Sequence, residues 1–125
     1  MDSRKDTGRE GEDIACRFLM EKGHTILERN WRCGHLETDI ISLDEEGLHF
    51  TEVKTRRPPM QADPQENVGF KKQHNLAAAA NAYLAKKDDG QLGVYECFFD
   101  VVAIVLEEKK TTIEYFPKAF IPIYV

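Results

Sequence analysis

The stretch ETDIISLDEEGLHFTEVKTR, residues 37–56, contains two strand-like runs on either side of a turn-forming segment. The runs predict β-strands at residues 37–43 and 48–56, in which successive side chains point to opposite faces. The segment DEEG, residues 44–47, separates the runs and predicts a tight turn between them. The stretch therefore predicts a β-hairpin at the centre of the fold.

The second predicted strand carries a conflict. Leu48, Phe50, Glu52 and Lys54 occupy alternate positions, so an extended chain projects all four side chains to one side. Two of these side chains favour burial, whereas a carboxylate and an ammonium group favour water. A charged pair on the face that Leu48 and Phe50 mark as buried requires a chemical reason.

Two registers of the hairpin are open. A two-residue loop at Glu45 and Glu46 gives facing pairs whose members match in polarity: Leu43 with Leu48, Ile41 with Phe50, and Asp39 with Glu52. A three-residue loop with Gly47 in a bulge instead mixes apolar and polar side chains on each face, pairing Ile41 with Thr51 and Leu43 with His49. The match in polarity favours the first register.

In the favoured register, Asp39, Glu52 and Lys54 meet at one end of a sheet face, and Glu37 lies just beyond Asp39. Facing side chains have Cβ atoms ~5 Å apart, and two carboxylates at that separation repel each other. Mg²⁺ would relieve the repulsion, since it accepts oxygen ligands from one or two carboxylates and keeps several waters. Lys54 would then act on a water or on a phosphate. The alternative interpretation is a set of edge ion pairs whose tips lie in solvent.

Length and composition favour one globular domain, residues 1–125, with 42% hydrophobic and 31% charged residues. The apolar runs are too short to span a bilayer and the first residues lack an apolar core, so we expect neither a membrane segment nor a secretory signal. The three cysteines form no CxxC pair and suit a reducing compartment, which favours a cytoplasmic location. The net charge of −5 argues against general phosphate affinity but is compatible with a local basic patch.

The remaining patterns complete the predicted order of helix, three strands, helix, two strands, which indicates a mixed sheet with helices packed on it. Helical periodicity predicts helices at residues 7–22 and 71–87. Apolar runs predict the other strands at residues 24–32, 94–106 and 111–116. The proline-rich residues 58–69 predict an exposed loop, and the apolar tail, residues 120–125, is expected to dock on the body.

Several segments resemble, in the same order, the YraN-like family of small bacterial proteins: GREGEDIACRFLMEKG, LERNWR, LETDIIS, FTEVKTR, KKQHNLAAAANAYL and FFDVVAI. That family is similar to archaeal Holliday-junction resolvases and to the restriction-endonuclease-like group with its PD-(D/E)xK motif. The resemblance implies an α/β fold with a restriction-endonuclease-like αβββαβ core, in which helices flank a mixed central sheet. It also implies a metal-dependent phosphodiesterase site.

The resemblance assigns the motif's Asp to Asp39 and its E-x-K to Glu52, Val53 and Lys54. It implies that Asp39, Glu52 and the Val53 carbonyl would bind Mg²⁺ or Mn²⁺, and that Lys54 would act on the attacking water. One departure from the family pattern lies here, where Gly-Glu-apolar-Asp is replaced by residues 36–39, LETD. The two acids keep their spacing.

Further candidate site residues lie on the two helices and near the hairpin. By the resemblance, Glu12 corresponds to an acidic residue on the first helix of the resolvases, and Gln73 to a polar residue that opens the later helix. Four basic residues are expected to contact a phosphate backbone: Arg32, Arg56, Arg57 and Lys72. For each of these residues, the alternative to a role in the site is an ordinary solvated surface side chain. For Glu12 it is a favourable interaction with the helix dipole.

The histidines and Asp100 give no sequence signal for a metal site. The four histidines, His24, His35, His49 and His74, show no spacing typical of metal ligands. Asp100 interrupts an apolar strand and is expected to make a salt bridge or hydrogen bond rather than to bind a metal.

The sequence therefore predicts a Mg²⁺-dependent endonuclease that hydrolyses DNA phosphodiester bonds. The likeness to resolvases suggests branched DNA as a substrate and a homodimer as the assembly. The alternative is a non-catalytic module that binds nucleic acid or a protein partner and retains the nuclease fold.

Overall fold

The computed structural model describes residues 3–58, 69–87 and 92–121. The elements follow the predicted order: α1 (Ser3–Glu21), β1 (Thr25–Cys33), β2 (Leu36–Leu43), β3 (Leu48–Arg56), α2 (Phe70–Lys87), a short 3-10 helix (Leu92–Val94), β4 (Cys97–Leu106) and β5 (Thr111–Phe120). Most of the predicted proline-rich loop, and residues 122–125 of the predicted docking tail, lie outside the described residues.

Three predicted boundaries are wrong by more than two residues. Helix α1 begins at Ser3 rather than residue 7, because residues 3–6 contain neither glycine nor proline. Strand β4 begins at Cys97 rather than residue 94, since a 3-10 turn precedes it. Strand β5 continues past the predicted end to Phe120, through Pro117. Proline is tolerated there because β5 is an edge strand of the sheet.

The five strands form one mixed sheet in the order β1-β2-β3-β4-β5. Only β3 and β4 pair in parallel, and α2 lies in the connection between them, as a parallel crossover requires. The β2–β3 hairpin adopts the favoured register, with Leu43 opposite Leu48 and Ile41 opposite Phe50. The fold is thus the expected restriction-endonuclease-like α/β core.

The two helices cover opposite faces of the sheet. Ile41 and Phe50 pack against α2 in one buried cluster, whereas the adjacent Ile40 packs against α1 in the other. Because side chains alternate along a strand, Asp39 and Glu52 have the parity of the α2 face. Within the described ranges, neither helix is long and apolar enough to cross a bilayer.

Helix α1 lies directly on β3 at Gly11. A Cβ atom at this position would lie 2.7 Å from Thr55 Cγ2 and closer still to the Thr55 hydroxyl oxygen. Gly11 is therefore required for close packing of α1 on β3. This contact sets the height of α1 over the sheet and thereby the position of the next residue, Glu12.

We expect Gly11→Ala to lower the free energy of unfolding by about 1–3 kcal/mol, because the added methyl group overpacks the contact with Thr55. Gly8→Ala is the matched control, since a Cβ at Gly8 on the same helix meets nothing within 4 Å. That variant should gain about 0.5–1 kcal/mol from higher helix propensity. Chemical denaturation of both variants measures the difference, and a stabilised Gly11→Ala variant would contradict this packing.

Candidate functional site

Two carboxylates meet where β2 and β3 leave their regular pairing. The described ladder ends at Ile40 opposite Thr51. Beyond it, the Val53 amide donates a hydrogen bond of 2.8 Å to Asp39 Oδ2. The Asp39 side chain also shares a hydrogen bond with the Glu52 side chain. The structure therefore brings Asp39 and Glu52 together, as the hairpin register predicts.

Burial raises the pKa of Asp39 to about 7, and the neighbouring charge of Glu52 adds to the rise. The Val53 amide opposes the shift by stabilising the ionised form, while the charge of Glu12 contributes a further increase. Asp39 accordingly holds a proton under mildly acidic conditions, beside the Glu52 side chain. A cation bound between the two oxygens would replace that proton.

Helix α1 supplies the third acid. Glu12 Oε1 accepts a hydrogen bond of 2.8 Å from Asn30 Nδ2 on β1. Asn30 has a φ of +51°, in the left-handed region that asparagine tolerates better than most residues. This local irregularity of β1 orients Glu12, whose charge reaches Asp39. We refer to Glu12, Asp39 and Glu52 as the acidic centre.

Helix α2 supplies a cation to the acidic centre. Lys72 Nζ lies 3.4 Å from Glu52 Oε2, and the Glu52 side chain is only 14% exposed. Lys72 was predicted to contact phosphate, so this ion pair with a site carboxylate is a role that sequence reasoning missed. Gln73 follows in the same first turn, and Lys54 follows Glu52 on the same side of β3. Both of these side chains are half-buried.

Two of the arginines that were predicted to contact phosphate pair with acids of the same chain. Arg57 pairs with Glu10 at 2.9 Å, and Arg32 pairs with Glu37 at 3.3 Å. Glu37 is therefore an exposed partner of Arg32 rather than a member of the acidic centre. Exposed ion pairs of this kind contribute little to stability, so a phosphate can compete for these arginines. Arg56 differs, because its Nε is buried and has no hydrogen-bond partner among the described residues.

A second constellation lies on the other face of the sheet and was not predicted. His24, Asp44 and His49 each present one ligand atom, and these atoms lie within 4.8 Å of one another. The local spacing of the histidines gives no sign of this group, because its members come from separate parts of the chain. We refer to these three residues as the histidine cluster. The sequence contained one signal for this group: His49 lies on a predicted buried strand, and its side chain points to the face opposite that of Phe50.

Asp100 has the structural role predicted for it. Its Oδ2 atom contacts His49 Nδ1 at 2.6 Å and accepts a hydrogen bond of 2.6 Å from the Tyr115 hydroxyl. Its Oδ1 atom accepts a hydrogen bond from the Lys118 amide. Both oxygen atoms of the buried Asp100 carboxylate thus have hydrogen-bond partners within the protein.

Comparison with known proteins gives a consistent result. The profile of the Uncharacterised protein family UPF0102 matches residues 11–104. A UPF0102 protein of Chlorobaculum tepidum is 43% identical over 119 residues, covering 90% of each chain. A UPF0102 protein of Phocaeicola vulgatus is 37% identical over 122 residues, covering 98% of each chain. A third, from Lawsonia intracellularis, is 39% identical over 109 residues, covering 87% of this chain and 79% of the relative.

The raised pKa of Asp39 predicts a pH-dependent stability. Between its ordinary pKa of ~4 and the folded-state value of about 7, the folded state binds more protons than the unfolded state. The free energy of unfolding therefore falls as the pH rises through this window. We expect Asp39→Asn, which retains the acceptor for the Val53 amide, to raise the melting temperature at pH 8 by about 4 °C or more.

The gain should shrink towards pH 4, where both forms are uncharged at this position. Thermal melts in the presence of EDTA measure it, with Glu45→Gln in the exposed turn as the matched control. An equal gain at both ends of the pH range would contradict the raised pKa of Asp39.

Proposed function

The chain belongs to the UPF0102 family, which is the YraN family, and on this basis we propose that it is a divalent-metal-dependent endonuclease that hydrolyses DNA phosphodiester bonds. One observation carries the proposal. Asp39 and Glu52 lie on facing strands and share a hydrogen bond, and burial raises the pKa of Asp39 to about 7. Two carboxylates held together in this way form a site that favours a cation.

The donor set fits Mg²⁺ or Mn²⁺. Asp39, Glu52 and the Val53 carbonyl offer hard oxygen ligands, and no histidine or cysteine is among them. Glu12, oriented by Asn30, would accept hydrogen bonds from waters of the outer coordination sphere. The bound ion would polarise a phosphoryl oxygen and stabilise the charge that develops during the reaction.

The chain's own residues would perform the remaining steps. Lys54 would orient the attacking water and stabilise negative charge on the phosphoryl oxygens. A bond forms between the water oxygen and phosphorus as one ester P–O bond breaks, and the leaving oxygen takes up a proton. Gln73 would position the water or the phosphate. Lys72 would leave Glu52 for a phosphate oxygen, since both groups compete for the same ammonium.

The substrate is inferred from charge and likeness. Arg56 ends β3, which carries Glu52, and Arg57 follows it directly. Arg32 lies on β1, the strand next to β2. These three arginines would contact the phosphate backbone. No base-reading motif accompanies them, so recognition would depend on backbone shape. Branched DNA as the substrate and a homodimer as the assembly rest on the similarity of the family to Holliday-junction resolvases.

The test is cleavage of supercoiled plasmid and of branched DNA with Mg²⁺ or Mn²⁺. We expect divalent-dependent nicking by the wild type. Glu52→Gln and Lys54→Met should each lose about 10²-fold or more in rate, because each removes a group that acts on the reacting phosphate. Glu45→Gln, a matched loss of one exposed carboxylate, should cleave like the wild type.

DNA binding, measured by fluorescence anisotropy, separates the proposal from the alternative. If the wild type binds DNA but shows no divalent-dependent cleavage, the protein is a non-catalytic binding module rather than an enzyme. Equal cleavage by the wild type and Glu52→Gln would assign the nicking to a contaminant.

A further inference from the structure

We propose that His24, Asp44 and His49 form a binding site for one divalent ion of the zinc class, separate from the acidic centre. Within the residues that the structure describes, these three form a group whose ligand atoms approach within 4.8 Å of one another. His24 and His49 are buried and Asp44 is 14% exposed in its side chain. The three side chains are therefore largely shielded from solvent, and Asp44 is the most exposed of them.

The distances suit coordination of a small ion. His49 Nε2 lies 2.8 Å from Asp44 Oδ1, and His24 Nε2 lies 3.4 Å from Asp44 Oδ2. The two imidazole rings lie side by side, with centroids 4.5 Å apart. Tetrahedral ligands at ~2.0–2.1 Å from Zn²⁺ are separated by ~3.3 Å. An ion can therefore enter between these atoms with small side-chain shifts.

Hydrogen bonds to neighbouring side chains orient both imidazoles for coordination. His24 Nδ1 lies 2.8 Å from Ser42 Oγ, and His49 Nδ1 lies 2.6 Å from Asp100 Oδ2. If each Nδ1 carries the proton of these hydrogen bonds, both Nε2 lone pairs face Asp44. Histidine ligands in metal sites characteristically donate their other ring N–H to a carboxylate or a similar acceptor. The Tyr115 hydroxyl in turn holds Asp100.

The carboxylate is held by the hairpin turn. Asp44 Oδ1 accepts hydrogen bonds from the Glu46 and Gly47 amides, at 2.9 and 3.2 Å. The turn is itself packed against the chain before β4, because a Cβ atom at Gly47 would lie 2.4 Å from the Glu96 carbonyl oxygen. All three ligands thus lie on positions that neighbouring contacts already restrain.

The ligand set selects the class of ion. Two imidazole nitrogens and one carboxylate oxygen favour Zn²⁺ and similar transition ions over Mg²⁺, which prefers oxygen ligands throughout. Three protein ligands leave a fourth position for water. The ion would join the start of β1 to the β2–β3 turn, so its effect on the fold is to stabilise this end of the sheet.

This site is independent of the acidic centre. His49 and Glu52 are three residues apart on β3, so their side chains project from opposite faces of the sheet. The contacts of the histidine cluster lie on the face that α1 covers, where Tyr115 packs against Phe18. The two sites share no ligand, so variants of one can be compared with variants of the other.

The test is Zn²⁺ binding by untagged protein, measured by competition with a chromophoric chelator and by metal analysis after dialysis. We expect one Zn²⁺ per chain and a higher melting temperature in its presence. Co²⁺ in place of Zn²⁺ should give visible ligand-field bands without a thiolate charge-transfer band, which excludes the three cysteines as ligands.

Variants assign the ion to the cluster. His24→Gln should weaken binding by about 100-fold or more, whereas His35→Gln, which alters an exposed histidine, should bind like the wild type. Ser42→Ala retains all three ligands but removes the partner of His24 Nδ1, so it should weaken binding about 10–100-fold. This variant keeps the test decisive if His24→Gln fails to fold. Asp39→Asn should bind Zn²⁺ normally.

Two results would overturn the proposal. If the wild type binds no stoichiometric Zn²⁺, the cluster is a hydrogen-bonded network in which a protonated His49 bridges Asp44 and Asp100. If Zn²⁺ binding is lost in Asp39→Asn but retained in His24→Gln and Ser42→Ala, the ion belongs to the acidic centre.

Discussion

The register of the β2–β3 hairpin is the constraint on which the acidic centre depends. Because side chains alternate with a period of two, a slip of one residue would move Glu52 away from Asp39 and place it on the other face. The apolar pairs Ile41–Phe50 and Leu43–Leu48 hold the register at the closed end of the hairpin. At the open end, the same register forces two carboxylates together, and the Val53 amide becomes a donor to Asp39.

The sheet keeps two kinds of chemistry apart. Its α2 face carries oxygen donors and the ammonium group of Lys72, whereas its α1 face carries the imidazoles of His24 and His49. The histidine cluster depends on the parallel pairing of β3 with β4, because this pairing brings Asp100 beside β3 and within reach of His49. One continuous strand thereby supports both sites without a shared ligand.

Local patterns were sufficient for much of the fold and for the pair of acids. Alternation and polarity matching predicted the hairpin, its register and the meeting of Asp39 with Glu52, all of which depend on residues close in the chain. The start of β4 was misplaced because an apolar run does not distinguish a strand from the 3-10 turn before it. The extension of β5 through Pro117 depends on its place at the sheet edge, which is a property of the whole sheet.

The sequence by itself determined the family, the order of elements and the face on which Asp39 and Glu52 lie, because each follows from periodicity or from a motif within one hairpin. Only the tertiary structure decided which side chains from distant parts of the chain come together. It placed Lys72 of α2 at Glu52, and it brought His24 and His49 together around Asp44. Such contacts depend on how a helix or a turn packs on the sheet, and no local periodicity records that packing.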